Sequence, residues 1–100
     1  MAESSAYVVV DFWRARPGRE AELERKLSES VVAFRAHPGV LSVDFTRVEG
    51  DPSHYLVIFR YDSAASRAAF VATDLVRDTL NDLSDLWDLD GQVWRGEPIG

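Results

Sequence analysis

No cysteine occurs in the 100 residues, so the chain can form no disulfide, thiolate nucleophile or thiolate metal site. Histidine is scarce. His37 and His54 are the only two, and neither has a second histidine or a carboxylate at ligand spacing around it. Positive charge is in short supply: 11 Lys and Arg face 17 Asp and Glu, for a net charge of -6. A nucleic-acid binder would show a basic stripe instead, and anionic lipid heads would repel this balance. No apolar run approaches the length of a membrane span. Met1-Ala2-Glu3-Ser4-Ser5 lacks the basic start and apolar core of a signal peptide. These absences predict a cytoplasmic protein with no nucleic-acid and no membrane partner. There is no phosphate loop, Gly-rich dinucleotide fingerprint or Ser elbow, so no nucleotide or nicotinamide cofactor is expected.

What the chain does have is a hydrophobic content of 46%, enough for one domain with a real core. Residues 1–5 read as a disordered tail, and 6–100 as the domain. Tyr7 to Ala15 reads as a strand. Pro17-Gly18 breaks it, and Leu23, Leu27, Val31 and Phe34 then form a helical stripe that His37-Pro38-Gly39 stops. A second strand covers Val40 to Glu49, with Leu41, Val43 and Phe45 on one face. Gly50-Asp51-Pro52-Ser53 reads as a turn, and Tyr55 to Tyr61 as the third strand. Asp62 or Ser63 can cap a second helix. That helix is expected to break near Thr73-Asp74, before a piece carrying Leu75, Val76, Leu80, Leu83 and Leu86. Asp90-Gly91 reads as a turn before a short last strand, Gln92 to Arg95.

This βαββαβ order predicts an α+β, ferredoxin-like fold: a four-stranded antiparallel sheet with its helices on one face. The first and third strands are apolar on both faces. Helices cover only one of them, so a homodimer is expected to cover the other through Val8, Val10, Phe12, Leu56 and Ile58.

One set of acidic residues reads as a solvated helix face. Asp74, Asp78, Asp82, Asp85, Asp88 and Asp90 have no histidine among them, and no metal is expected there. Asp11 is different, because it sits inside Val8-Val9-Val10-Asp11-Phe12-Trp13. A carboxylate there loses water, so its pKa should rise unless a cation pairs with it. It then reads either as a general base near neutrality or as half of an ion pair with Arg47 or Arg60. Strand parity puts Asp11 and Trp13 on one face, and Phe59 and Tyr61 on one face of the third strand. If those faces look toward the helices, Phe70 and the second helix would close a pocket suited to a flat organic ligand.

Four stretches in this order carry a family resemblance: Arg16-Pro17-Gly18-Arg19-Glu20-Ala21-Glu22-Leu23; His37-Pro38-Gly39-Val40-Leu41-Ser42-Val43; Gly50 to Ile58; and Tyr61-Asp62-Ser63 opening a helix. Together they resemble the antibiotic biosynthesis monooxygenase family. The resemblance implies a dimeric α/β barrel. It also implies a cofactor-independent monooxygenase acting on a polycyclic phenolic or hydroquinone-like, polyketide-type aromatic. Asp11 and Tyr61 would be catalytic, with Trp13, Phe59 and Phe70 binding the small aromatic molecule. Alternatives on the same scaffold are a non-catalytic binding or accessory protein and a polyketide cyclase. Haem-degrading members place an Asn on strand one, a Trp at the end of strand three and a His in helix two. Here Asp11 and Tyr61 stand at the first two positions, and helix two has no histidine. Haem is therefore not expected.

Overall fold

A run of β-branched and aromatic residues within Tyr7–Ala15 forms the first strand, β1, and the chain then runs through six further elements. These are α1 (Glu20–Arg35), β2 (Val40–Val48), β3 (Asp51–Tyr61), α2 (Ala64–Val71), α3 (Asp74–Leu83) and β4 (Trp87–Gly96). The computed structural model describes residues 6–99, with the side chains of 89–92 left aside. The tail expected at 1–5 lies outside the described residues. The sheet is antiparallel in the order β2-β3-β1-β4, so β1 and β3 are central. This is the ferredoxin-like arrangement, with three helices covering one face.

The helix breaks follow local chemistry. Glu20 and Glu22 sit in the first turn of α1 and Arg35 in the last, as the helix dipole favours. The Ser63 hydroxyl caps α2 by accepting from the Ser66 amide at 3.1 Å. Thr73 ends α2 and starts α3 in the same way: its hydroxyl donates to the Phe70 carbonyl at 2.7 Å and accepts from the Val76 amide at 3.3 Å. Gly39 adopts φ +87, and a Cβ there would fall 2.5 Å from Ser66. Only glycine lets the turn before β2 lie against the start of α2.

Four details differ from the sequence reading. The turn expected over Gly50 to Ser53 is tighter, and β3 already begins at Asp51. The β1 partner of β3 runs out at Arg14 opposite His54, so Pro52, which has no N–H, disrupts no central ladder. Leu41 does not share the inner face with Val43. The β2–β3 register shifts between Val40 and Ser42, so Val40 takes the buried place and Leu41 is 62% exposed. Asp90-Gly91 is not a turn before a short strand. Strand β4 runs unbroken from Trp87, and the β1–β4 register shifts between Asp11 and Trp13. Leu86, expected on the helix, lies in the turn after α3 and is buried.

The core lies between the helices and the sheet. Leu23 and Leu27 of α1 are sealed against the β2–β3 half, where Val43 and Val57 are also fully enclosed. Helix α2 packs on β2 and β3, and α2 and α3 contribute Phe70 and Leu83 to the same core. Among the described residues no helix is long and apolar enough to cross a membrane.

Candidate active site

Strand parity brings Val9, Asp11 and Trp13 of β1 to the helix-facing side, next to Phe59 and Tyr61 of β3. The short, broken α2–α3 pair does not fill the space above them, and a cavity of ≈ 320 Å³ remains. Asp11, Trp13, Phe59, Tyr61 and Phe70 all line it. The sequence reading grouped these five, and the structure brings them around one space.

The cavity has two aromatic ends. At one, Trp13 packs on Trp87 with ring centroids 4.0 Å apart. At the other, Phe59 and Tyr61 stack at 5.8 Å with an interplanar angle of 8°. Phe70 of α2 closes that end, 5.6 Å from Phe59 and 5.9 Å from Tyr61. Along β1, Asp11 stands between the two ends. Both walls offer ring faces and edges, which suit a flat aromatic guest.

Asp11 has been taken partly out of water. Among the described residues it makes no ion pair and no side-chain hydrogen bond. Burial pushes its carboxyl above the ordinary value of 3.8, while the charges of Arg67 and Arg95 pull it back. The partners expected from sequence do not reach it. Arg47 donates instead to Glu24, with Nε 3.0 Å from Oε2. Arg60 pairs opposite Val8 on the outer side of the sheet and is exposed. Burial also pushes the Tyr61 phenol well up, and the nearby Asp11 charge adds to the rise. Tyr61 therefore stays a neutral O–H donor at any working pH. The Trp13 indole N–H is buried without a hydrogen-bond partner among the described residues.

Sequence reasoning missed several of the lining groups. Trp87 was hidden because the last strand was expected to begin only at Gln92, whereas β4 begins at Trp87. Arg95 and Val93 lie on the cavity side because β4 pairs Arg95 with Val9 and Val93 with Asp11. That register was not legible before the sheet order was known. Arg67 was findable, since it precedes Phe70 by three residues and so shares its helix face.

The two histidines lie elsewhere. The His37 ring meets Phe70 edge-on at 5.2 Å. His54 accepts from Arg14 Nε at 3.0 Å and also contacts the Asp51 carboxylate, a nearby carboxylate that the sequence spacing did not reveal. No His or Cys lines the cavity, so it has no imidazole or thiolate to ligate a haem iron. Among the described residues no group of three or more His, Asp or Glu is placed to hold a metal. Asp74, Asp78, Asp82, Asp85 and Asp88 are exposed, and the Asp90 side chain lies outside the described set.

The profile of the antibiotic biosynthesis monooxygenase family matches residues 6–82. No curated protein matches the chain. Among solved structures, a candidate antibiotic biosynthesis monooxygenase from Chloroflexus aurantiacus is similar, with 27% identity and a TM-score of 0.81, over 96% of this chain and 95% of that one. SnoaB, a cofactor-independent oxygenase from Streptomyces nogalater, shares the fold at 14% identity and a TM-score of 0.85, over 97% and 96%. A candidate family member from Deinococcus radiodurans does so at 20% identity and a TM-score of 0.80, over 94% and 96%.

Proposed function

The chain belongs to the antibiotic biosynthesis monooxygenase family, and from its cavity we propose a cofactor-independent oxygenation of a polycyclic phenolic or hydroquinone-like aromatic, of polyketide type. The observation that carries this reading is Asp11, a partly buried carboxylate with no bonded partner, set between two aromatic walls. In this reading Asp11 is the base and removes a proton from the substrate ring system. The resulting anion is electron-rich and passes one electron to dioxygen, which sidesteps the spin barrier without a metal. Superoxide and the substrate radical then combine, forming a carbon–oxygen bond at a hydrogen-bearing ring carbon. The peroxide recovers the proton from Asp11. Loss of water breaks the O–O bond and leaves a carbonyl. The ring carbon is oxidised, and dioxygen ends as the carbonyl oxygen and water. Tyr61 donates a hydrogen bond to the substrate oxyanion. Trp13, Phe59 and Phe70 hold the ring and exclude water.

An oxygen electrode with a panel of anthrones and naphthohydroquinones tests this. One dioxygen consumed per anthrone converted to quinone is expected. A folded protein that consumes none with the whole panel would sink the oxygenase reading in favour of a binding protein or a cyclase.

The outer face of the sheet supports a homodimer. Val8, Val10, Phe12, Leu56 and Ile58 are only half-buried in the single chain, and Trp94, edge-on to Phe12 at 5.2 Å, is 60% exposed. Soluble monomers seldom leave such a patch open. Light scattering at low micromolar concentration should give twice the single-chain mass, and Phe12→Asp should dissociate or unfold it. A persistent monomer would refute the dimer.

A further inference from the structure

Two arginines converge on the cavity from different elements, and neither is spent on a structural pair. Arg67 projects from α2 on the face that carries Phe70. Arg95 projects from β4, beside Val9 and diagonal to Asp11. Both line the cavity. Among the described residues neither makes an ion pair or a hydrogen bond. Elsewhere the chain pairs its arginines readily: Arg16 with Asp88, Arg19 with Glu22, Arg25 with Glu29, Arg47 with Glu24 and Arg77 with Asp74. Arg60 also lacks a pair among the described residues, but it stands alone on the outer face of the sheet, whereas Arg67 and Arg95 share one aromatic cavity in a protein of net charge -6.

One guanidinium balances an ionised Asp11, and the second is surplus. A neutral aromatic would leave that surplus uncompensated beside it, whereas a guest with one fixed negative charge would cancel it. Guanidinium also matches carboxylate geometry through paired N–H donors.

We propose that Arg67 and Arg95 form an anion subsite that selects aromatic substrates bearing a carboxylate apart from the reacting ring position. This rests on the cavity being the substrate site, as argued above, and it narrows the substrate class to aromatic acids. Arg67, the more enclosed of the two, would grip the carboxylate. Arg95, exposed on β4, would draw it in from solvent.

Titration calorimetry with anthraquinone-2-carboxylate and anthraquinone-2-carboxamide tests the subsite without any turnover. The two probes share ring and shape and differ in charge. The wild-type protein should bind the carboxylate about tenfold tighter than the amide or better, the size expected for a charge-assisted contact. In the Arg67→Gln/Arg95→Gln double variant, with its far-ultraviolet circular dichroism unchanged, that ratio should fall to near one. Both changes lie at solvent-reachable positions, and glutamine suits helix and strand surfaces. Raising salt should erode the ratio in the wild type but not in the double variant. Equal affinities in the wild type, a ratio that survives in the double variant, or no binding of either probe would overturn the subsite. The oxygenase reading fails separately. A carboxylate preference with no oxygen uptake from an anthrone or its carboxylic acid removes that reading and leaves the subsite. Uptake with no preference does the reverse.

Discussion

Glu24 and Asp11 are carboxylates at the edge of the same core, and their surroundings differ in kind. Glu24 lies on α1, over the β2–β3 half. It accepts two bonds from the Arg47 guanidinium and one from the Tyr55 hydroxyl at 2.7 Å. Those bonds hold its carboxyl below the ordinary value of 4.5. Helix α1 is long and regular, Leu23 and Leu27 are buried beneath it, and only a smaller cavity of ≈ 120 Å³ opens beside Glu24. Asp11 lies on β1 at the larger cavity, which the broken α2–α3 pair borders. Among the described residues it has no bonded partner, and its carboxyl is pushed up. The first acid is fully satisfied and contributes to the fold. The second is kept unsatisfied beside a void, which weakens the fold locally and leaves a group free to take a proton.

The sharpest way to break this contrast is Asp11→Asn. If Asp11 is the base, turnover of an active anthrone should fall by roughly two to four orders of magnitude, the span of a lost proton-transfer group. An active enzyme that keeps full turnover would remove Asp11 from the mechanism. The pH behaviour has a definite sign. The base works ionised, so the rate should rise with pH through a value above 3.8. Stability should move the other way. The folded state holds this proton more tightly than the unfolded chain, so the contribution of Asp11 is best at low pH. It is lost as pH rises from the unfolded value through the raised folded one. Above that window Asp11→Asn should be at least as stable as the wild type in urea, and a clear loss of stability would show that the carboxylate is structural after all.

The next contrast compares two buried leucines. Leu23 is fully enclosed under α1, and Leu83 is nearly so but borders the cavity. Truncating Leu23 opens a new void in a filled core and should cost about 3–5 kcal/mol. Leu83 already lacks packing partners on its cavity side, so Leu83→Ala should cost less, about 2–3 kcal/mol. Urea melts of both variants check the order, and a reversed order would mean that the cavity half is the better packed one.

The sequence carried the filled half more plainly than the hollow one. The stripe Leu23, Leu27, Val31 and Phe34 announces α1, and the alternation in β1 and β3 announces the two central strands. Parity alone put Asp11 with Trp13, and Phe59 with Tyr61, because the period of a strand is fixed. What parity does not give is register across strands. Arg95 meets the cavity only because β4 pairs it with Val9, and the register shift opposite Asp11 lies in a segment that reads as a turn at Asp90-Gly91. The same limit explains the wrong partners first considered for Asp11. Arg47 and Arg60 flank it in plausible neighbouring strands, yet one is bound to Glu24 and the other points to the opposite face. Leu41 was misplaced for a related reason, since a single-residue shift in β2 turns a side chain to the other face.

The smallest expected effect lies in the satisfied half. Tyr55→Phe removes the hydroxyl that donates to Glu24 but keeps the ring in the core. Burial and the bond to Glu24 both push this phenol up, so it is a donor at every accessible pH. Its loss should cost about 1 kcal/mol near neutrality, the usual net worth of one such bond. Arg47 still holds the carboxylate, so Glu24 is not left bare, and this keeps the cost modest. The cost should also depend on acid. Glu24 has a depressed folded pKa, so its contribution is present above 4.5 and fades as pH falls through the folded value. Below that point Glu24 carries its own proton, the charge that strengthens the bond is gone, and wild type and Tyr55→Phe should converge in urea midpoint. Equal stability losses at neutral and acid pH would mean that the hydroxyl contributes by packing alone, and that Glu24 is held by Arg47 without it.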